Sequence, residues 1–274
     1  MGPDQAELLS LACAVAQEAG EMLADRSGRA VVVATKSSPT DVVTEMDRAA
    51  EQLISRRLLT ERPSDSVLGE EGGQTGEGAG VRWIVDPLDG TVNYLYDLPD
   101  WAVSVAAEVD GQIVAGAVCV PRRDALYFGR LGGGAWRTTI GNQDPAAAQR
   151  LQCNVDVPLN RALIATGFGY EPGRRLVQGQ VVAALLPRVR DIRRNGAAAV
   201  DLCSLAAGNV DGYYERGVQY WDIAAGSLIA REAGAIVAGL AGKPAGQEMT
   251  LGGGPGLFAE LHDLLLSQDP ERDA

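Results

Sequence analysis

The chain has 274 residues, a formal net charge of −12 and one histidine. The length suffices to bury a large core in one domain, or in two closely packed ones. The acidic surplus, with no offsetting Lys/Arg block, argues against nucleic acid or an anionic membrane as the main partner.

The N-terminal "MGPDQAELLS" lacks the basic and apolar regions of a signal peptide, and no apolar run reaches the roughly 20 residues of a membrane span. The expected compartment is therefore the cytoplasm. Residues 5 to 25 set Leu8, Leu11, Ala12, Val15, Ala19, Met22 and Leu23 at helical spacing, which predicts a first amphipathic helix. After it, "VVVATKSSPTDVV" reads as a short extended segment and a loop carrying Lys36 and Asp41. A second helix is predicted from about Glu45 to Thr60, burying Met46, Ala50, Leu53, Ile54 and Leu58 and stopping at Pro63. The glycine-rich, acidic stretch 69 to 80 reads as a mobile loop.

The run Trp83-Ile84-Val85 reads as a strand ending in "DPLDG", and Gly90-Thr91 as the start of a short helical turn. Further on, "WAVSVAAEV" and "QIVAGAVCV" flank Asp110-Gly111, a strong hairpin signal, and "DALYFGRLGGGAW" adds strands around a glycine turn. The first half is therefore expected to be antiparallel sheet with helices in front. The second half alternates: "RALIATGF" strand, 176 to 190 helix, "DIRR" strand, "AAVDLCSLAAG" helix, "VDGYYE" strand, "IAAGSLIAREAG" helix and "AIVAG" strand. Such alternation indicates α/β layers. The only histidine, His262, lies in "LFAELHDLLL", an amphipathic helix, at its solvent edge. Cys13, Cys119, Cys153 and Cys203 are far apart, with no C-x-x-C, and are expected to be free thiols.

With histidine isolated, triads and histidine-rich zinc sites are disfavoured. Chemistry falls to carboxylates, hydroxyls and backbone. Four acidic features stand out: Asp47 near the start of the second helix, Glu70-Glu71 in the loop, Asp86 and Asp89 in "DPLDG", and Asp222 in "YWDIAAG". Each has a plainer reading. Thr44 to Asp47 resembles a capping box, Asp222 can cap its own helix, the loop glutamates can be solvated, and "DPLDG" can be turn chemistry. Two strand-end carboxylates separated only by Pro-Leu nevertheless repel each other unless a cation lies between them. A hard divalent ion such as magnesium takes oxygen ligands of this kind. Backbone N–H groups at Gly90-Thr91 would offer an anion site beside it, which points to phosphoryl chemistry.

"WIVDPLDGTVNY" and the downstream "YWDIAAG" resemble the two signatures of the inositol monophosphatase family, magnesium-dependent and lithium-sensitive phosphomonoesterases. "KSSPTDVVTEMD", "LGEEGG" and "RRNGAAAVDLCSLAAGNVDGYYE" extend the resemblance over nearly the whole chain, in family order. It implies one domain over residues 1 to 274, folded as a five-layer α-β-α-β-α sandwich of the α/β class, and a homodimer in the cytoplasm. It also implies two to three magnesium ions. Glu70, Asp86 and the Leu88 carbonyl would hold the first, Asp86, Asp89 and Asp222 the second, and waters near Glu70 and Asp47 a weaker third. Asp47 and Thr91 would orient the attacking water, with Glu70 completing the catalytic set. Gly90 and Thr91 would hold the phosphate. Gly196, Ala197, Glu215 and Asp222 would face the substrate, and Lys36 would either help neutralise its loop or stand as a surface lysine. The sequence departs from the common pattern at Ala197, where Ser or Thr is usual, and at Tyr94, where Phe is usual. The implied substrate is a small polyol phosphomonoester, inositol 1-phosphate first. The alternatives are histidinol phosphate, another sugar or nucleotide phosphate, or a partner-binding role without catalysis.

Overall fold

The structure is a computed structural model that describes residues 3–26, 32–35, 42–76, 78, 80–142 and 144–273. Lys36 and Asp41 lie outside the described residues. The first half runs α1 (Gln5–Ala24), β1 (Val32–Thr35), β2 (Val42–Thr44), α2 (Glu45–Glu61), β3 (Ser66–Gly69), β4 (Gly73–Gly76), β5 (Arg82–Asp89), α3 (Thr91–Leu95), β6 (Ala102–Val109), β7 (Gln112–Val120), β8 (Ala125–Arg130), β9 (Gly134–Thr138) and β10 (Gln149–Arg150). The second runs β11 (Leu163–Thr166), α4 (Pro172–Leu185), β12 (Asp191–Arg193), α5 (Ala198–Ala206), β13 (Gly212–Glu215), α6 (Tyr220–Glu232), β14 (Ile236–Ala238), β15 (Thr250–Gly253) and α7 (Pro255–Leu266).

Strands of the first half form one sheet in the order β10-β9-β8-β7-β6-β5-β3-β4, antiparallel except for β3 beside β5. The β6–β7 hairpin turns at Asp110-Gly111, both with positive φ, the geometry that a two-residue turn of this type requires. A second, mixed sheet has the order β12-β11-β13-β15-β14. Helices α1 and α2 cover the outer face of the first sheet, α5 and α6 fill the space between the sheets, and α4 and α7 cover the second sheet. Three apolar cores fill the interlayer spaces, the middle one lying on both sides of α5 and α6. Leu8, Val15, Ile54 and Trp83 lie in the outer one, Ile84, Val118, Leu202 and Tyr213 between the sheets, and Ile164, Val181, Leu251 and Leu261 beyond the second sheet. This is the expected five-layer α-β-α-β-α arrangement.

Several local expectations needed correction. The stretch from 69 onward is not wholly loop, because β4 pairs antiparallel with β3 and the Glu71 and Gly72 N–H groups donate to the buried Glu51. The helix expected at 176 to 190 starts earlier, capped by Glu171 with Pro172 at its first position, and ends at Leu185 ahead of a short 3₁₀ turn containing Pro187. Strand β15, in the glycine-rich "TLGG", was not anticipated. Among the described residues no helix is long and apolar enough to cross a membrane. Cys119, Cys153 and Cys203 are buried and free, and Cys13 is half-buried and free. His262 is tied at the helix edge, its Nε2 accepting from the Ala241 N–H. Tyr94 is fully buried, its ring edge-on to Trp101 and its hydroxyl donating to the Leu23 carbonyl at 2.8 Å.

Candidate active site

The end of β5 determines the geometry. In a regular strand, residues three apart point to opposite faces. Here Asp86 pairs with Ser104 and Asp89 with Ala102, so three steps on β5 match two on β6. The extra residue is a bulge spanning Pro87, which has no N–H to lose from the ladder. Asp86 and Asp89 are thereby brought to one face. The strand runs through to Asp89. Gly90 follows with φ +90, a conformation that few other residues adopt, and a Cβ there would lie 2.9 Å from the Asp100 carbonyl.

A cavity of about 510 Å³ opens at this point, lined among others by Glu70, Asp86, Leu88, Asp89, Gly90, Thr91, Gly196, Glu215 and Asp222. Each aspartate is held by a backbone donor. Asp86 Oδ1 accepts from Leu88 N at 3.0 Å, Asp89 Oδ2 from Ala199 N at 2.6 Å, and Asp222 Oδ2 from Gln219 N at 2.7 Å. Asp47 is fully buried behind the cavity. Its Oδ2 accepts from Thr44 N at 2.8 Å, in a capping box at the start of α2, and its Oδ1 accepts from the Thr91 hydroxyl at 3.0 Å. Thr91 Oγ1 also lies 3.2 Å from the Leu88 carbonyl.

The electrostatics are those of crowded acid. Burial, then the charges of Glu70, Asp89 and Asp222, push Asp86 well above the usual carboxylate range. Burial and Asp222 do the same to Asp89, with the Ala199 N–H acting in the opposite direction. Asp47 is raised by burial. Glu215 is pushed up to about 7 by burial, against the lowering effects of the Tyr213 hydroxyl bond and the Arg194 charge. Like charges this close destabilise the ionised set unless a cation neutralises it. The donors are all oxygen, suited to a hard divalent ion. Among the described residues no three of the acids close around a single point.

Most of the expected residues therefore converge on one cavity. Ala197 does not line it. It is buried, its Cβ lying 3.2 Å from where a Cβ on Gly90 would be, and Ala198 lines the cavity instead. Glu51 was missed. It packs against Gly69 and Gly72, where any Cβ would collide with its carboxylate, and anchors the loop that carries Glu70. Its signal was available, since it sits four residues after Asp47 on the same helix face. Asn93 was also missed. Its buried amide donates to the Asp100 carbonyl at 2.5 Å and the Asn195 carbonyl at 2.8 Å, clamping the Gly90-Thr91 turn to the Gly196 loop.

The chain matches the family model described as "Inositol monophosphatase family" over residues 4–269. It is 47% identical to a Mycobacterium leprae protein named inositol-1-monophosphatase, over 82% of this chain and 77% of that one. The solved structure of Mycobacterium tuberculosis SuhB superposes with a TM-score of 0.81 at 39% identity, covering 98% of this chain and 99% of that one. A Vibrio cholerae protein named Nus factor SuhB is 37% identical over 86% of each chain. The chain belongs to the inositol monophosphatase family, a metal-dependent family of phosphatases, and is a phosphatase.

Proposed function

We propose that the chain is a magnesium-dependent phosphatase of small polyol phosphomonoesters, converting inositol 1-phosphate to inositol and phosphate. The observation that carries this reading is the crowding of Glu70, Asp86, Asp89 and Asp222, whose charges oppose one another in one cavity. Glu70, Asp86 and the Leu88 carbonyl would hold a first magnesium, and a second would draw Asp86, Asp89 and Asp222 together around it, since these three do not close around one point without it, with a weaker third near Glu70 and Asp47. What the bound ions supply is charge neutralisation for the phosphoryl oxygens and the departing alcohol.

The protein groups do the positioning. Asp47 Oδ1 and the Leu88 carbonyl compete for the single proton of the Thr91 hydroxyl, which leaves the Thr91 oxygen able to accept a hydrogen bond from the attacking water. Gly90 and Thr91 N–H groups receive the phosphate at a backbone turn that only glycine fits readily. Glu215, once ionised, accepts a hydrogen bond from a hydroxyl of the leaving alcohol. The resemblance to a named inositol-1-monophosphatase supports the polyol over histidinol phosphate. The Vibrio relative's name supports an additional partner-binding role. The reading further takes the chain as a single-domain, cytoplasmic homodimer with no nucleic-acid or membrane partner.

The test is phosphate release from a panel containing inositol 1-phosphate and histidinol phosphate, with EDTA and with restored magnesium. Turnover of inositol 1-phosphate that EDTA abolishes and magnesium restores is the expected result. EDTA-insensitive turnover, or a preference for histidinol phosphate, would sink the assignment.

A further inference from the structure

Asp86 and Asp89 stand on β5, whereas Asp222 stands in the first turn of α6, so the spacing of these acids depends on how α6 is seated on the sheet. The bond from Gln219 N orients the Asp222 carboxylate within its own helix but does not fix that helix against β5. First-turn residues also lack most of the intrahelical bonds that hold a helix interior, so their placement depends on ties to other elements. Helix α6 packs on β5 and β6, and two residues of β6 meet its start. Ser104, the partner of Asp86 in the ladder, is fully buried with its Oγ 3.5 Å from the Trp221 carbonyl. Glu108, further along β6, accepts from the Tyr220 hydroxyl at 2.6 Å. Glu108 is held in turn by Arg82, its direct partner on β5, whose Nη2 lies 2.7 Å from Oε1 and 2.9 Å from Oε2. Tyr220 is therefore tied, through one carboxylate, to the strand that carries Asp86 and Asp89.

The contact differs from an ordinary surface ion pair, because the Glu108 side chain is buried. Burial pushes its carboxyl up, but the bonds from Arg82 and Tyr220 outweigh that and hold it below its ordinary value, so it stays ionised. A bond from a phenol to an ionised carboxylate is short and strong. None of Arg82, Glu108 and Tyr220 lines the cavity, so whatever they do at the site passes through the first turn of α6. We propose that Glu108 and Tyr220 brace the start of α6 against β5, setting the distance of Asp222 from Asp86 and Asp89 and with it the affinity for the divalent ion bound between them. This rests on the metal-dependent reading above and adds to it two positioning residues outside the cavity. Arg82 supports the brace by fixing Glu108, and Ser104 marks where α6 rests beside Asp86.

The experiment measures magnesium binding by titration calorimetry without substrate, beside the Tm in EDTA and the magnesium dependence of inositol 1-phosphate hydrolysis. Tyr220→Phe keeps the ring and removes only the hydroxyl. It should weaken magnesium binding about fivefold and raise the magnesium needed for half-maximal turnover by a similar factor. Glu108→Ala should do at least as much, and adding Tyr220→Phe to it should cost nothing more, because the hydroxyl then has no acceptor to hold. Glu108→Gln, whose amide oxygen can still accept from Tyr220, should recover part of the affinity. A lower Tm in EDTA with unchanged magnesium affinity in both single variants would make the contact merely structural and overturn the brace. Losses of affinity that add in the double variant would overturn it too. No magnesium binding by the wild type would overturn the metal-dependent reading and the brace with it, whereas failure of inositol 1-phosphate as substrate leaves the calorimetric test intact.

Discussion

Glu215→Gln should make the metal-free protein more stable at alkaline pH while leaving it unchanged in acid. Burial holds the Glu215 carboxyl near 7, against an ordinary value of 4.5. Between those values the folded state keeps a proton that the unfolded chain has released. Stability contributed by this group is therefore full below about 4.5 and lost as pH rises through about 7. At ~1.4 kcal/mol per pH unit, the gap corresponds to about 3 kcal/mol as an upper bound. The side chain is half-buried at a solvated cavity, and discounting for screening brings this to about 2 kcal/mol. A chain of this size loses roughly 2–4 °C of Tm per kcal/mol, so the variant should melt about 4–8 °C above wild type at high pH. The assay is thermal unfolding in EDTA from about pH 5 to pH 9, reading only the difference between variant and wild type so that other titrating groups cancel. A difference that stays flat across that range would refute the buried-carboxylate account of Glu215.

Asp89→Asn removes a ligand charge while its amide oxygen can still accept from Ala199 N, so circular dichroism should be unchanged and turnover should fall by more than about tenfold at saturating magnesium. Magnesium itself should raise the Tm of the wild type, by about 2.7 kcal/mol of stability at a hundredfold excess over Kd. Differential scanning calorimetry should show a smaller gain for Asp89→Asn, and an equal gain would remove Asp89 from the ligand set. Lithium should inhibit phosphate release at roughly tens of millimolar when magnesium is saturating, because a monovalent ion among Asp86, Asp89 and Asp222 cannot supply the same charge. Thr91→Val keeps the shape of the turn but removes the hydroxyl bonded to Asp47, and should lower kcat by about 10²-fold with little change in KM.

What was legible in the sequence was local or periodic. The Asp110-Gly111 hairpin and the helical spacing of α1 follow from turn chemistry and apolar period alone, and both are present. The pairing of Asp86 with Asp89 was legible as a charge conflict, but the bulge that turns both to one face depends on the register with β6, which no local pattern encodes. Strand β4 was hidden because all four of its residues are exposed, so it carries no apolar alternation. Ala197 was placed at the ring by its position beside Gly196, whereas the start of α5 turns it inward against Gly90.

The capping and ligand readings of Asp47 and Asp222 were posed as alternatives, and the capping bonds do not set one against the other. A carboxylate has two oxygens, and a helix cap needs only one. Asp47 gives Oδ2 to the start of α2 and Oδ1 to Thr91, while Asp222 gives Oδ2 to the start of α6. Asp89 is gripped in turn by a backbone N–H in the first turn of α5. The starts of α2, α5 and α6 thus each fix one acid from a different layer. Their positive ends also ease the accumulation of negative charge that the cavity requires before any cation arrives. Orientation here is secured by backbone N–H groups, which cannot change rotamer. Rigidity at the acids therefore costs little extra side-chain entropy, and a substitution that breaks one cap should disturb the site before it disturbs the fold.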